Sequence, residues 1–257
     1  MTAAEGSAPP LNFPPPDAAP FSVVWQAQSP FGPCVGVAIP SDARTFELPA
    51  ALAPEERAFA AASSPARART FVAGRVALRA AFAAASLPAP PAVLTGAQGQ
   101  PLLPASAWGS ISHKHNLAVA VAAPAEGRGG LGIDLEAAAP GAVDIAKRVL
   151  LPDELERLHT LPPEARARQT RMAFCVKEAL YKAVHPLVDR FFGFHEGRVA
   201  LPFDAAGQSF LAVHAEAFPA GMSEKTATTA HLLVSAGCLL AVVRARGNAL
   251  GLVETRT

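Results

Sequence analysis

Two long helix-compatible stretches, at residues 65–85 and 164–184, each lie between runs of short strand-like segments. Ser64 is suited to cap the first, with Pro65 in the first helical position, where a missing N–H costs nothing. The 87–91 stretch breaks it. The second is expected to stop before Pro186, because the residue before a proline is pushed out of the helical region. Strand-like runs fall at 21–28 and 34–39, around a Ser29-Pro30-Phe31-Gly32-Pro33 turn, and then at 109–113, 117–123 and 131–136. Others follow the second helix at 198–201, 209–217, 230–235 and 238–244. Shorter helical patterns cover 54–62, 143–150 and 153–159, and a loop covers 95–101. This order predicts an α+β fold. It has two pseudo-equivalent halves, each a long helix packed on a small, mostly antiparallel sheet. Residues 1–20, rich in proline, form a tail or wrapping segment; 21–125 form the N-terminal half and 126–257 the C-terminal half, joined near 124–129. The long helices share a weak pattern: Phe71, Arg75 and Arg79 against Phe174, Glu178 and Lys182.

Composition narrows the class. The 257 residues carry 22 basic and 21 acidic side chains, a net charge of +1, which argues against an extended nucleic-acid footprint. Hydrophobic residues at 51% and charged residues at 17% point to an ordinary globular chain. Cys34, Cys175 and Cys238 are too sparse for a disulfide framework, so a reducing cytoplasm is expected. The absence of Lys or Arg before Arg44 argues against a signal peptide. The longest apolar run, 232–243, falls short of the roughly 20 residues that span a bilayer. It reads as two buried strands around Ala236-Gly237, so no membrane association is expected.

Four stretches carry side chains suited to chemistry. In Gly132-Ile133-Asp134-Leu135-Glu136, a strand places Asp134 and Glu136 on one face, about 6–7 Å apart, with Ile133 and Leu135 toward the core. Two such carboxylates repel unless a cation joins them, and a hard divalent ion favours oxygen ligands. A solvated strand face is the plain alternative. In Phe174-Cys175-Val176-Lys177-Glu178-Ala179-Leu180-Tyr181-Lys182-Ala183, Glu178 and Lys182 share a helix face, which by itself makes an ordinary surface pair. Set against the acidic strand, Glu178 supplies a third carboxylate and Lys182 a point charge for phosphate. In Gly109-Ser110-Ile111-Ser112-His113-Lys114-His115-Asn116, Ser112 and His113 are phosphate donors or ordinary loop residues. A zinc pair of His113 and His115 has no nearby Cys to support it. Arg67, Arg69, Arg75 and Arg79 on the first long helix bind an anion or cover an Ala-rich surface. Gly127-Arg128-Gly129-Gly130-Leu131-Gly132 spells G-x-G-x-x-G, but it leads into a strand rather than a helix and reads as an inter-strand turn.

Arg69…Gly74-Arg75, Gly99-Gln100-Pro101, Ser110-Ile111-Ser112-His113, Gly132-Ile133-Asp134-Leu135-Glu136 and Phe174…Lys177-Glu178-Ala179-Leu180-Tyr181-Lys182-Ala183, in that order, resemble the 4′-phosphopantetheinyl transferase superfamily. The Pro186…Phe191-Phe192-Gly193-Phe194 stretch looks like its two-half, single-chain subgroup, which serves siderophore, non-ribosomal peptide and polyketide synthases. The resemblance implies a monomer with its active site in the cleft between the halves. The implied reaction transfers the phosphopantetheine arm of coenzyme A to a serine of an acyl or peptidyl carrier protein, releasing 3′,5′-ADP. It implies Mg²⁺, with Mn²⁺ possible, held by Asp134, Glu136 and Glu178, and Lys182 on the pyrophosphate. Ser112 and His113 would meet the nucleotide end; Arg69, Arg75 and Gln100 would line the coenzyme pocket. Glu178 is the implied general base, and Phe191, Phe192 and Phe194 are candidates for the carrier surface. The competing expectations are a metal-dependent phosphoesterase using the same carboxylates and a non-catalytic carrier-binding module.

Overall fold

The computed structural model describes residues 8–14, 20–40, 46–139, 144–188, 190–204, 209–219, 226–235 and 237–247. Strands β1 (Val23–Ser29) and β2 (Gly32–Ala38) form a hairpin, followed by helices α1 (Pro54–Ala62) and α2 (Pro65–Ala84). A second hairpin, β3 (Ala107–Lys114) and β4 (Leu117–Pro124), completes an antiparallel sheet of order β1-β2-β4-β3. Then come β5 (Gly129–Ala137), α3 (Ala146–Val149), α4 (Pro152–Leu158) and α5 (Pro163–Val188). Strands β6 (Gly197–Val199), β7 (Leu211–Val213), β8 (Ala215–Ala217), β9 (Ala227–Val234) and β10 (Cys238–Arg246) follow. The second four-stranded antiparallel sheet has the order β5-β10-β9-β7, and β6 pairs with β8.

Each long helix covers one sheet. Phe71, Val72, Leu78 and Phe82 of α2 bury against Val35, Val37, Ala118 and Ala120. Met172, Val176, Leu180 and Val184 of α5 bury against Leu232, Leu239, Ala241 and Val243. A third cluster draws on both sheets, with Trp25, Leu117 and Val119 against Ile133, Leu135, Leu233 and Leu240. Central strands are therefore covered on both faces, which explains the unbroken apolar runs of β4 and β10. Residues 8–14 cross this join. Leu11 is fully buried in the shared cluster, the Trp25 indole N–H donates to the Pro9 carbonyl at 3.0 Å, and Asn116 donates to the Pro14 carbonyl.

The halves repeat a polar device. Glu56 and Glu154 occupy the third position of short helices that begin with proline, and both are fully buried. Each accepts the N–H of its own helix cap, from Ala53 and Leu151, at 2.8 Å. Each also accepts a second backbone N–H, from Val93 and Val199 respectively. Each meets a base on the following long helix, Arg79 at 2.9 Å and Lys177 at 2.6 Å, 23 residues away in both cases. The structural repeat thus pairs Arg79 with Lys177, not with Lys182 as the Phe71/Phe174 pattern suggests.

Three local expectations need correction. Helix α5 continues past Pro186 to Val188, since a proline in a last turn removes few helix bonds. The 209–217 stretch divides into β7 and β8, which belong to different sheets. Gly129–Gly132 is strand rather than turn. A Cβ at Gly132 would overlap the Ala179 carbonyl and one at Gly130 would lie 2.6 Å from that of Ala183, so these glycines let α5 settle on β5. Residues 1–7 and 15–19, the 143 end of the expected short helix, and Ala236 lie outside the described residues.

Candidate active site between the two halves

Strand pleating sets the site's first feature. Ile133 and Leu135 enter the core between the sheets, and the alternate residues Asp134 and Glu136 take the other face, both nearly buried. Helix α5 lies against that strand. Lys182 Nζ donates to the Ile133 carbonyl at 2.9 Å and to Asp134 Oδ1 at 2.7 Å. From the other half, Ser112 Oγ donates to the same Oδ1 at 2.9 Å. Asp134 Oδ2 is buried with no hydrogen-bond partner among the described residues. Glu178, one helical turn before Lys182, is half-buried. Burial raises its carboxyl above the ordinary range, Asp134 and Glu136 raise it further, and Lys182 and Arg148 oppose them.

Glu136 is engaged differently. Lys114 on β3 lies 2.9 Å from Oε2 and 3.0 Å from Oε1, and Arg171 on α5 lies 3.1 Å from Oε2. The three carboxylates share a side of β5 but do not converge: among the described residues, no group of three or more His, Cys, Asp or Glu is arranged to hold a metal ion. This includes His113 and His115. His115 sits in a turn with φ of 50° and meets the Phe13 ring edge-on. His113 keeps an exposed edge; partial burial lowers its imidazole, followed by Lys182 and Arg67, with Asp134 opposing.

A cavity of about 500 Å³ opens beside these groups. Glu178, Tyr181 and Lys182 line it from α5, and Gln98, Gln100 and Trp108 line it from the N-terminal half. His185 Nε2 lies 2.7 Å from Gln98 Oε1 across it. Gln100 is turned back on its own loop, accepting the Gln98 N–H. Arg75 and Arg69 do not line this cavity. Arg75 is buried, holds the Val93 carbonyl and Thr95 hydroxyl, and stacks on Phe71; burial pushes it down to about 10. Of the three late phenylalanines, Phe192 is core, Phe194 packs on Phe174, and Phe191 is 73% exposed with its ring 5.6 Å from Tyr181. Sequence reasoning missed Arg171, Gln98 and His185, because no pattern tells which helix face meets which strand.

Comparisons with known proteins bear on this arrangement. A profile described as the 4′-phosphopantetheinyl transferase N-terminal domain matches residues 55–123, and one described as the 4′-phosphopantetheinyl transferase superfamily matches 130–233. The chain is 35% identical to 4′-phosphopantetheinyl transferase Svp of Streptomyces mobaraensis over 155 residues, 60% of this chain and 63% of that protein. It is 33% identical to 4′-phosphopantetheinyl transferase Npt of Nocardia iowensis over 59% of this chain and 67% of the relative. It is 30% identical to 4′-phosphopantetheinyl transferase PptT of Mycobacterium tuberculosis over 60% and 67%. The match thus spans just under two thirds of the Streptomyces protein.

Proposed function

This chain belongs to the 4′-phosphopantetheinyl transferase superfamily, and we propose that it transfers the phosphopantetheine arm of coenzyme A to a serine of an acyl or peptidyl carrier protein. The observation that carries this reading is Asp134. One of its oxygens is satisfied by Ser112 and Lys182, the other is buried without a partner, and Lys182 itself lines the cavity of about 500 Å³. A buried anionic oxygen without a donor is costly unless a cation joins it. Asp134 and Glu178 suit Mg²⁺ or Mn²⁺, since a small hard cation takes one or two carboxylates and fills its remaining positions with water and phosphate oxygens. When bound, the ion would supply charge neutralisation at the pyrophosphate.

The remaining work belongs to the chain's own residues. The carrier serine oxygen forms a bond to the β-phosphorus of coenzyme A. The bond from that phosphorus to the bridging oxygen breaks, and 3′,5′-ADP leaves with the electron pair. Glu178 is assigned the serine proton, directly or through a water, because it lines the cavity one helical turn from Lys182. Lys182 is assigned to the pyrophosphate as a point charge. His113, with Arg67 and Lys182 nearby, is assigned the nucleotide's anionic end, and Gln100 and Arg69 lesser contacts. Ser112 and Arg75 act by positioning, Ser112 through Asp134 and Arg75 through the 93–95 segment. Alignment of the two substrates supplies much of the rate in such a reaction.

The transferase names of the matched relatives favour transfer over the phosphoesterase alternative. The same reading makes the chain a cytoplasmic monomer acting in siderophore, non-ribosomal peptide or polyketide synthesis. Three free, buried cysteines accord with a reducing compartment, and among the described residues no helix is long and apolar enough to cross a membrane. The test is incubation with an apo carrier protein, coenzyme A and Mg²⁺, read by intact mass. A gain of one phosphopantetheine on the carrier is expected. An unchanged carrier, or free phosphopantetheine released without it, overturns the reading.

A further inference from the structure

The buried acid–base pair of each half reaches beyond its own helix cap. In the N-terminal half Glu56 accepts the Val93 N–H, and Arg79 donates to the Pro90 carbonyl at 2.9 Å and the Pro91 carbonyl at 3.2 Å. The chain runs on into Leu94, whose carbonyl accepts the Leu102 N–H at 3.0 Å, and Thr95, which bridges to Pro101. Pro101 and Leu102 form part of the wall of the cavity of about 500 Å³. In the C-terminal half Glu154 accepts the Val199 N–H at 2.7 Å, and Lys177 donates to the Val149 carbonyl at 2.9 Å and the Phe194 carbonyl at 3.3 Å. Phe194 belongs, with Phe191 and Phe192, to the wall of a second cleft of about 90 Å³. Glu178 and Tyr181 line both spaces. Each pair thus grips the irregular segment that follows its long helix. Hydrogen bonds from ionised groups are the strong ones, and poor solvation strengthens them further.

We infer that the two pairs are positioning devices with divided duties. Glu56 and Arg79 set a wall of the larger cavity and thereby the affinity for coenzyme A. Glu154 and Lys177 set the wall on the other side of Glu178 and thereby the transfer step. Size and place give the division. A cavity of about 500 Å³ lies in the range that holds small ligands, and one of about 90 Å³ falls below it. The smaller cleft adjoins the larger at Glu178, the group assigned the serine proton, and Lys177 precedes Glu178 on α5. The inference rests on the transferase reading for its reaction, not for its contacts.

The experiment measures two quantities on the full chain: coenzyme A affinity by isothermal titration calorimetry with Mg²⁺, and transfer to an apo carrier protein at saturating substrates by intact mass. Arg79→Lys replaces a fork that meets Glu56 and two carbonyls with a single ammonium, and it also removes Arg79 Nε, which has no hydrogen-bond partner. It is expected to weaken coenzyme A binding about tenfold and to leave the saturated rate within about threefold of the parent. Lys177→Met is expected to do the reverse, with a saturated rate lower by about tenfold or more and affinity within about threefold. A merely structural pair would move both quantities together, so equal losses of affinity and rate in both variants overturn the inference. If Lys177→Met does not fold, Arg79→Lys decides alone: unchanged affinity, or a rate loss as large as the affinity loss, overturns it. A parent protein that binds coenzyme A without modifying the carrier, or binds none, overturns the transferase reading itself and the division of duties with it, a different outcome from either.

Discussion

Ser112 on β3 donates its hydroxyl hydrogen to Asp134 on β5 at 2.9 Å, so an acidic side chain of one half is held by a hydroxyl of the other. Lys114 and Glu136 repeat the contact two residues on, with the same separation of 22 residues. The two strands therefore run side by side in the same direction, and their side chains form rungs across the join. Ser112→Ala removes one donor from a buried carboxylate that already has an unpartnered oxygen. It should cost about 1–3 kcal/mol, measured by urea unfolding. A loss near zero would mean that the join does not depend on this rung.

Lys182 is the residue that the proposed transfer reaction places on the pyrophosphate. Lys182→Met should reduce phosphopantetheine transfer by about 10²–10³-fold if, as proposed, its charge meets the pyrophosphate. Near-ultraviolet circular dichroism should stay close to the parent's, because Ser112 still holds Asp134. Transfer at the parental rate would remove Lys182 from the reacting site.

Gly132 controls how closely α5 approaches the acidic strand. Gly132→Ala places a Cβ against the Ala179 carbonyl, a backbone atom that cannot rotate away. The cost should exceed about 4 kcal/mol, in the range of severe core overpacking, and thermal unfolding or insolubility on expression would report it. A variant with parental stability would show that α5 shifts freely on β5.

Leu11 ties the N-terminal segment into the apolar cluster shared by both sheets. Leu11→Ala should cost about 2–5 kcal/mol, as for other fully buried leucines. Trp25→Phe, which loses the hydrogen bond to Pro9, should cost about 1 kcal/mol. Denaturant midpoints check both, and the order of the two effects is part of the prediction.

Burial pushes the Cys34 thiol up to about 12 and the Cys238 thiol to about 11, and raises Cys175 well above its ordinary value. All three should resist a thiol reagent at pH 8 in the native protein and react only after denaturation. Because the folded-state values are raised, the unfolded chain gives up these protons first. This contribution to stability is therefore complete below pH 9 and is lost as pH climbs from 9 toward 12. Rapid labelling of the native chain at pH 8 would contradict the burial.

Much of the architecture was written in local pattern. Ser64 and Pro65 start α2 where their chemistry requires, and Gly132–Glu136 reads as a strand with its carboxylates on one face. The order of strands and long helices gave the α+β class, because periodicity and helix signals depend only on near neighbours. Local pattern failed where tertiary contact decided. Pro186 stays helical, and the five-residue difference between the apparent and the structural repeat shows only when Glu56 and Glu154 are seen meeting their bases.

By itself the sequence determined which residue types were present to do chemistry and, by pleat and helical turn, which of them share a face of one element. Only the tertiary structure decided which faces meet. It put Lys114 and Arg171 on Glu136, left an oxygen of Asp134 open, and took Arg75 away from the cavity and into a loop. The physical reason is that a side chain's charge and direction follow from local covalent geometry. Its partner is chosen by the packing of apolar faces far apart in the chain, and no local pattern encodes that.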